Sequence, residues 1–346
     1  MNELLKNLTE AVGVSGEEKE IRRIIRDLIA DHVDEWHVDT MGSLIALKKG
    51  TGASPLRVMV DAHMDEVGLM VTGYDSNGTL KFDTVGGFDD RTLLGKVVQV
   101  GPEKIIGVIG GRPVHLSTPA QRNSVVKVDA MRIDIGAKNE DAAKGKVKLG
   151  DRAAFVTAYE ELGTTAVAKA FDNRAGCAAL VELLRARPYP FDLYAAFTVQ
   201  EEVGLRGAQA AAYGIDPDVA LVLECTPAYD LPNKNDVSPN VALGKGPSIY
   251  VMDSVTVQDP RLVRHILQTA VTHNIPYQIR QPGGGGTNTG AIQRIRRPIP
   301  AATIAVPGRY AHTPTMMINL DDYAHAVKLA QLTLQSLTPE IINRGK

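Results

Sequence analysis

Five short segments of the chain carry an acid or a histidine at the end of an apolar, strand-like run. His63-Met64-Asp65 follows LRVMVDA, and Asp172 lies in AFDNRAG just before a helical pattern. Glu201-Glu202 ends DLYAAFTVQ, Glu224 ends DVALVL, and His312 comes shortly after PIPAATIAV. In open α/β sheets ligands gather at the carboxyl ends of strands, so position matters here as much as residue type. Each segment alone has a plain reading. His63 and Asp65 share a face of an extended chain and suit a solvated loop, while Asp172 or Asn173 suits a helix N-cap. Glu201-Glu202 is harder to set aside, because two adjacent carboxylates at the edge of a buried strand repel and resist desolvation. A cation removes that objection. Two histidines and several carboxylates at five strand ends point to one metal cluster, of a type suited to Zn²⁺, Co²⁺ or Mn²⁺ rather than Ca²⁺ or an iron–sulfur centre.

His63, His312, Asp172, Glu202 and Glu224 supply five ligand groups. That number holds two metals if one carboxylate and a hydroxide bridge them. Glu201 is then left beside a ligand, the arrangement a general base needs. Two metals about 3.5–4 Å apart polarise a carbonyl and furnish hydroxide, which is chemistry for hydrolysing an amide or similar bond. Competing motifs fail. Gly283-Gly284-Gly285-Gly286-Thr287 lacks the Lys-Ser/Thr pair of a phosphate loop, and no G-x-S-x-G elbow supplies a serine nucleophile. Cys225 reads as a small buried filler.

The elements that must position these residues fall into two textures. Residues 1–71 read as two helices followed by strands: Leu4, Leu5 and Leu8 share a helical face, Ile21, Ile24, Ile25 and Leu28 repeat behind them, and Ser15 with Glu18 forms a capping-box pattern. From about 72 to 163 helical periodicity gives way to short Val/Ile-rich runs punctuated by glycine, the pattern of a small β-barrel or sandwich. From 164 strand and helix patterns alternate again, implying an α/β layer with a largely parallel or mixed sheet flanked by helices. The simplest organisation is therefore a domain formed by 1–71 plus 164–346, with 72–163 inserted as a β-barrel. Consecutive domains would leave the first seventy residues too few elements to close a sheet.

Length and charge agree with this reading. The 346 residues suit about two domains. A formal net charge of -2 argues against a nucleic-acid or membrane-surface binder, either of which carries a basic excess. Cys177 and Cys225 are the only cysteines, too few for a disulfide framework or a four-sulfur metal site, and they fit a reducing compartment. The N-terminal stretch lacks a secretory signal pattern and no run of about 18 apolar residues occurs, so a cytoplasmic protein is expected.

The segments DAHMDEVGLMV, AFDNRAG, TVQEEVGLRGA, LVLECTPAYDLP, GGGGTNTGA and PGRYAHTP resemble, in order and spacing, those of the tetrahedral (TET) aminopeptidases. VGGF, GVIGGRPVHL and MRIDIGAKNEDA look like that family's dimerisation domain. The resemblance implies a zinc-peptidase-like fold and removal of single residues from the amino end of short peptides. It also implies two zinc or cobalt ions, and assembly as a dimer or a twelve-subunit tetrahedron. Residue by residue, Asp172 matches the bridging ligand, followed by a cis peptide bond to Asn173. His63 and Glu224 match the ligands of one metal, Glu202 and His312 those of the other. Glu201 matches the general base, and Asp65 the carboxylate that orients the His63 imidazole. Glu224 and Asn288 stand where aspartate is common, the second in a loop that borders the substrate site in that family. A deacylase or dipeptidase shares the same two-metal chemistry. A glycosidase needs carboxylates facing each other across a sugar, about 5–9.5 Å apart, which sequence neighbours do not provide. A non-catalytic assembly protein would have no use for Glu201.

Overall fold

The computed structural model describes residues 2–230, 241–280 and 285–343. Its centre is four parallel strands: β1 (Arg57–His63), β2 (Asp192–Thr198), β3 (Val219–Pro227) and β4 (Ala301–Arg309), in the order β2-β1-β3-β4. Nearly every residue of β3 and β4 is buried, as strands covered on both faces must be. Antiparallel strands extend the sheet on both sides. Leu44–Lys48 and Glu35–Val38 lie beyond β2, while Met316–Asn319, Thr165–Ala168 and Glu160–Leu162 lie beyond β4. Ser248–Tyr250 also pairs with β4 and carries Gln278–Arg280 at its side. The sheet is thus mixed with a parallel centre.

Helices cover it. Helix α1 (Phe171–Arg185) is almost wholly buried among the apolar side chains of β1, β2 and β3. Its close approach needs Gly176, where an added Cβ would stand 2.6 Å from the Leu223 carbonyl. Helices over Asn2–Glu10, Lys19–Ile29, Pro260–Thr272 and Leu320–Gln335 follow the apolar spacings in the sequence. No helix among the described residues is long and apolar enough to cross a membrane.

Six antiparallel strands close a separate barrel: Gly68–Tyr74, Leu80–Val85, Arg132–Asp134, Ile105–Gly110, Val97–Val100 and Arg152–Phe155. It has its own core of Leu69, Val71, Phe82, Val98, Val100, Ile109 and Ile133. Closure removes the free edges that short strands would otherwise expose.

One local expectation needs correction. Ser15 does not cap the second helix, which begins at Lys19. Its hydroxyl donates to Asp65 Oδ2 at 2.6 Å, and the Glu18 carboxylate accepts from the Gly16 N–H instead. Ser15 stands four residues before the first helical residue, beyond the N-cap position that Glu18 occupies.

Candidate metal centre

Strand order assembles the site. The chain leaves β1, returns on one side as β2 and then crosses to the other side as β3, so the crevice outside β1 is a switch point. His63 is the last residue of β1 and pairs in register with Thr198 at the end of β2. Glu201 and Glu202 follow β2, Glu224 lies within β3, and His312 follows β4. Asp172 comes from the first turn of α1, at a cis peptide bond to Asn173. Asn173 performs the local capping, its Oδ1 accepting from Gly176 N at 3.0 Å and its amide donating to Leu223 O at 2.8 Å. Asp172 is thereby left for the crevice. Ala170, Gln200, Tyr310 and His312 all hold left-handed backbone conformations, which side-chain-bearing residues adopt where surroundings force them.

The side chains converge in two groups that share Asp172. His63 Nε2 stands 3.3 Å from Asp172 Oδ1 and 3.4 Å from Glu224 Oε1. His312 Nε2 stands 3.6 Å from Asp172 Oδ2 and 3.4 Å from Glu202 Oε2. In each trio the potential ligand atoms lie within 4.8 Å of one another. Glu201 joins His63 and Glu202 in a third such trio, so distance alone does not separate base from ligand. Asp65 sits behind. Its Oδ1 is 3.4 Å from His63 Nδ1 and accepts the Glu201 N–H at 3.0 Å, while its Oδ2 accepts from Ser15 and the Glu202 N–H. One carboxylate therefore fixes both the imidazole and the acidic turn. Burial alone would raise Asp65, but His63, Ser15 and the Glu201 N–H together hold it below the usual carboxylate range.

The other acids behave oppositely. Burial pushes Glu202 well above the ordinary range, with Asp172 and Glu201 adding repulsion. Burial does the same to Glu201 and raises Glu224, in both cases against the pull of His63. Among the described residues, Glu202 Oε1 and Glu224 Oε2 are buried without a hydrogen-bond donor. Unpaired buried carboxylate oxygens are costly. Imidazole and carboxylate donors in two trios around a shared Asp172 fit a pair of divalent cations.

A cavity of about 670 Å³ opens over these groups. Tyr229, Tyr250, Val255, Leu205 and Arg280, none of them singled out from the sequence, contribute to its wall with Gly285, Gly286 and Thr287. Nothing in their local spacing marked them. Gly283 and Gly284 of the glycine-rich loop, and Leu231 and Pro232 of LVLECTPAYDLP, lie outside the described residues. Asn288 does not face the cavity. It is fully buried, and its amide donates to Asp61 Oδ2 at 2.7 Å and Thr198 Oγ1 at 3.0 Å. Its amide thus meets the carboxyl of Asp61, which burial pushes up to about 7. Cys225 is buried and its thiol is pushed well above the ordinary range by burial, so it is no nucleophile.

Comparison with known proteins identifies the family. The family model described as M42 glutamyl aminopeptidase matches residues 42–329, and one described as AMPT matches residues 1–25. A putative aminopeptidase of Acetivibrio thermocellus is 40% identical over 330 residues, covering 95% of this chain and 97% of the relative. The lysyl aminopeptidase of Pyrococcus furiosus is 33% identical, with 97% of each chain covered. Among solved structures, a TET aminopeptidase from the marine sediment archaeon Thaumarchaeota archaeon SCGC AB-539-E09 superposes with a TM-score of 0.94 at 35% identity, covering 98% and 97% of the two chains. A Pyrococcus horikoshii TET1 peptidase, described as able to assemble into a tetrahedron or a large octahedral shell, gives 0.87 at 36% identity, covering 97% and 99%. The chain belongs to the M42 glutamyl aminopeptidase family, a family of peptidases.

Proposed function

We propose that this protein is a metal-dependent aminopeptidase that removes N-terminal residues from short peptides. The observation that carries the reading is the pair of histidine–carboxylate trios sharing Asp172, with buried oxygens of Glu202 and Glu224 lacking donors among the described residues. His63, Asp172 and Glu224 would hold one divalent cation, and Asp172, Glu202 and His312 the other, with zinc or cobalt favoured and manganese acceptable. Cations bound there supply positive charge that polarises a peptide carbonyl and lowers the pKa of water.

The chain's own groups do the rest. Glu201 takes a proton from the attacking water and returns it to the departing amine, so that the C–N bond breaks after the C–O bond forms. Asp65 keeps His63 in one orientation and anchors the Glu201 backbone, which fixes the base relative to the ligands. The cavity has room for a few residues of a peptide end. The inserted barrel, whose strands run from Gly68 to Phe155 rather than over 72–163, mediates dimerisation, and dimers build toward a larger homo-oligomer such as a dodecamer. Self-association is supported by the Pyrococcus horikoshii relative, described as able to assemble into a tetrahedron or a large octahedral shell. No nucleic acid or membrane is part of this function, and a cytoplasmic site of action suits two free buried thiols.

Hydrolysis of aminoacyl p-nitroanilides tests the reading. Cleavage should stop with a chelator and return with Co²⁺ or Zn²⁺. If metal-loaded protein cleaves no member of a broad panel, the reading fails.

A further inference from the structure

The two histidines of the centre are held in different ways. His63 is buried at the end of β1 with Asp65 behind it. The His312 side chain is 41% exposed, so packing alone does not fix its ring. What fixes it comes from the inserted barrel. His312 Nδ1 lies 3.1 Å from the Gly87 carbonyl oxygen, 225 residues away in the chain. A carbonyl only accepts, so this hydrogen bond places the imidazole proton on Nδ1. Nε2 then keeps a bare lone pair on the side where it faces Asp172 and Glu202, as a metal ligand requires.

The local sequence is suited to delivering that carbonyl. Gly87 follows barrel strand Leu80–Val85 within Val85-Gly86-Gly87-Phe88. Val85 is buried with Val14 and Ala154, and the Phe88 ring meets Phe155 edge-on at 5.5 Å. Both ends of the glycine pair are thus anchored in packed apolar groups. Gly86 turns the chain at φ +86°, and an added Cβ there would stand 2.7 Å from Val67 Cγ1 and 3.4 Å from Glu202 Cβ. Gly87 is not left-handed. Apart from its chain neighbours, an added Cβ would meet only the His312 ring among the described residues, 3.4 Å from Nδ1 and 4.0 Å from Cε1. Just past the last barrel strand, Thr157 Oγ1 donates to the Pro314 carbonyl at 2.7 Å, so a second contact steadies the His312 loop. A hydrogen bond to the far nitrogen of a ligating imidazole fixes its tautomer and raises its basicity.

We propose that Gly87 is a positioning residue for the metal centre. Its carbonyl, carried in by the inserted barrel, sets the tautomer and ring orientation of His312, and through them the affinity of the Asp172–Glu202–His312 trio for its cation. The proposal rests on the metal-dependent reading of the site, and two readouts separate its failure from the failure of that reading.

Three altered full-length proteins are compared with wild type: Gly87→Ala, Gly87→Val, and the chain with Phe88 replaced by its α-hydroxy analogue. The last turns the Gly87–Phe88 amide into an ester, whose carbonyl is a poorer acceptor, and adds no side chain. In the first readout, the metal-free proteins are titrated with Co²⁺ by calorimetry. The ester and Gly87→Val should weaken one of the two ions roughly 10–100-fold and leave the other within about threefold. Gly87→Ala should lie between these and wild type. Both ions weakened alike, or neither weakened, overturns the proposal while two-ion binding by wild type keeps the metal-dependent reading standing. A wild type that binds no ion defeats both.

The second readout is nitrogen-15 NMR of the metal-free, histidine-labelled proteins at alkaline pH, with the His312 signal assigned by its loss in His312→Gln. Wild type should carry the proton on Nδ1, and the ester and Gly87→Val should show a mixture of tautomers. A merely structural role for the loop would leave the tautomer unchanged. Wild-type His312 with its proton on Nε2, or the same tautomer in every protein, overturns the proposal. If Gly87→Val does not fold, the ester and Gly87→Ala still decide.

Discussion

Two clusters of buried charge stand side by side in this molecule and are neutralised in opposite ways. In the first, Glu66 receives Lys169 Nζ at 2.8 Å on both oxygens, together with Arg174 Nη2 and the Gly13 N–H. Arg174 also donates to the carbonyls of Leu8, Ala11 and Met64, and Lys169 to that of Ala11. Charge and hydrogen bonds are satisfied within the chain, and the cluster ties the N-terminal helix to the end of β1. In the second, Glu201, Glu202, Glu224 and Asp172 converge with only two histidines among them. Oxygens of Glu202 and Glu224 have no donor among the described residues. The first cluster is complete and structural. The second has no Lys or Arg in any of its trios, and a folded chain tolerates clustered buried acids of that kind where something from outside offsets them.

Glu18 shows a third solution. It is 4% exposed and close to Asp65, and burial pushes its carboxyl up to about 7. Burial favours the protonated form there, so below about pH 7 a proton does what a cation does elsewhere.

The contrast can be broken experimentally. The largest effect is expected from Glu201→Gln, which removes a base without removing a ligand. Turnover should fall roughly 10²–10⁴-fold while bound metal stays constant. Loss of metal in this variant would make Glu201 a ligand and undo the division of labour. Next comes Lys169→Met, which strands Glu66 without its closest cation. Denaturant unfolding should show a loss of about 3–5 kcal/mol, the same with metal or with chelator. A loss that disappears on chelation would mean the two clusters are not independent.

The smallest effect concerns Glu18. Between pH about 4.5, where an unfolded glutamate titrates, and about 7, the folded state holds a proton that the unfolded chain has released. Raising pH through that window therefore lowers stability, by about 1–3 kcal/mol for a shift of this size. Glu18→Gln should remove that part of the slope and gain on wild type from pH 4.5 to 8, as read by thermal unfolding across pH. An unchanged slope would mean Glu18 is ionised in the folded protein.

Much of this was legible from the sequence because strand ends announce themselves. An apolar run that stops at an acid or histidine marks His63 and the Glu201-Glu202 pair at strand ends, whereas Asp172 lies in the first turn of α1 and Glu224 inside β3. The barrel was equally plain from its glycine-punctuated β pattern. What stayed hidden depends on contacts between distant segments. Ser15 and Glu18 have the spacing of a capping box, yet the Ser15 hydroxyl turns to Asp65, fifty residues away. Asn288 sits in a loop that lines the cavity, yet its amide points inward to Asp61. Arg280 ends a three-residue strand with no pattern of its own, and its contacts with Thr226 and Tyr250 come from distant segments. Local periodicity records which face is buried, not which polar group lies across it.

The central claim is that the second cluster is completed by two divalent cations held by five side chains. Metal content of the purified wild-type chain after Zn²⁺ or Co²⁺ loading and desalting, measured by plasma mass spectrometry beside Glu202→Gln and Glu224→Gln, tests it most directly. The account predicts two ions per wild-type chain and about one in each variant. Fewer than two in wild type, or two retained in both variants, would contradict it.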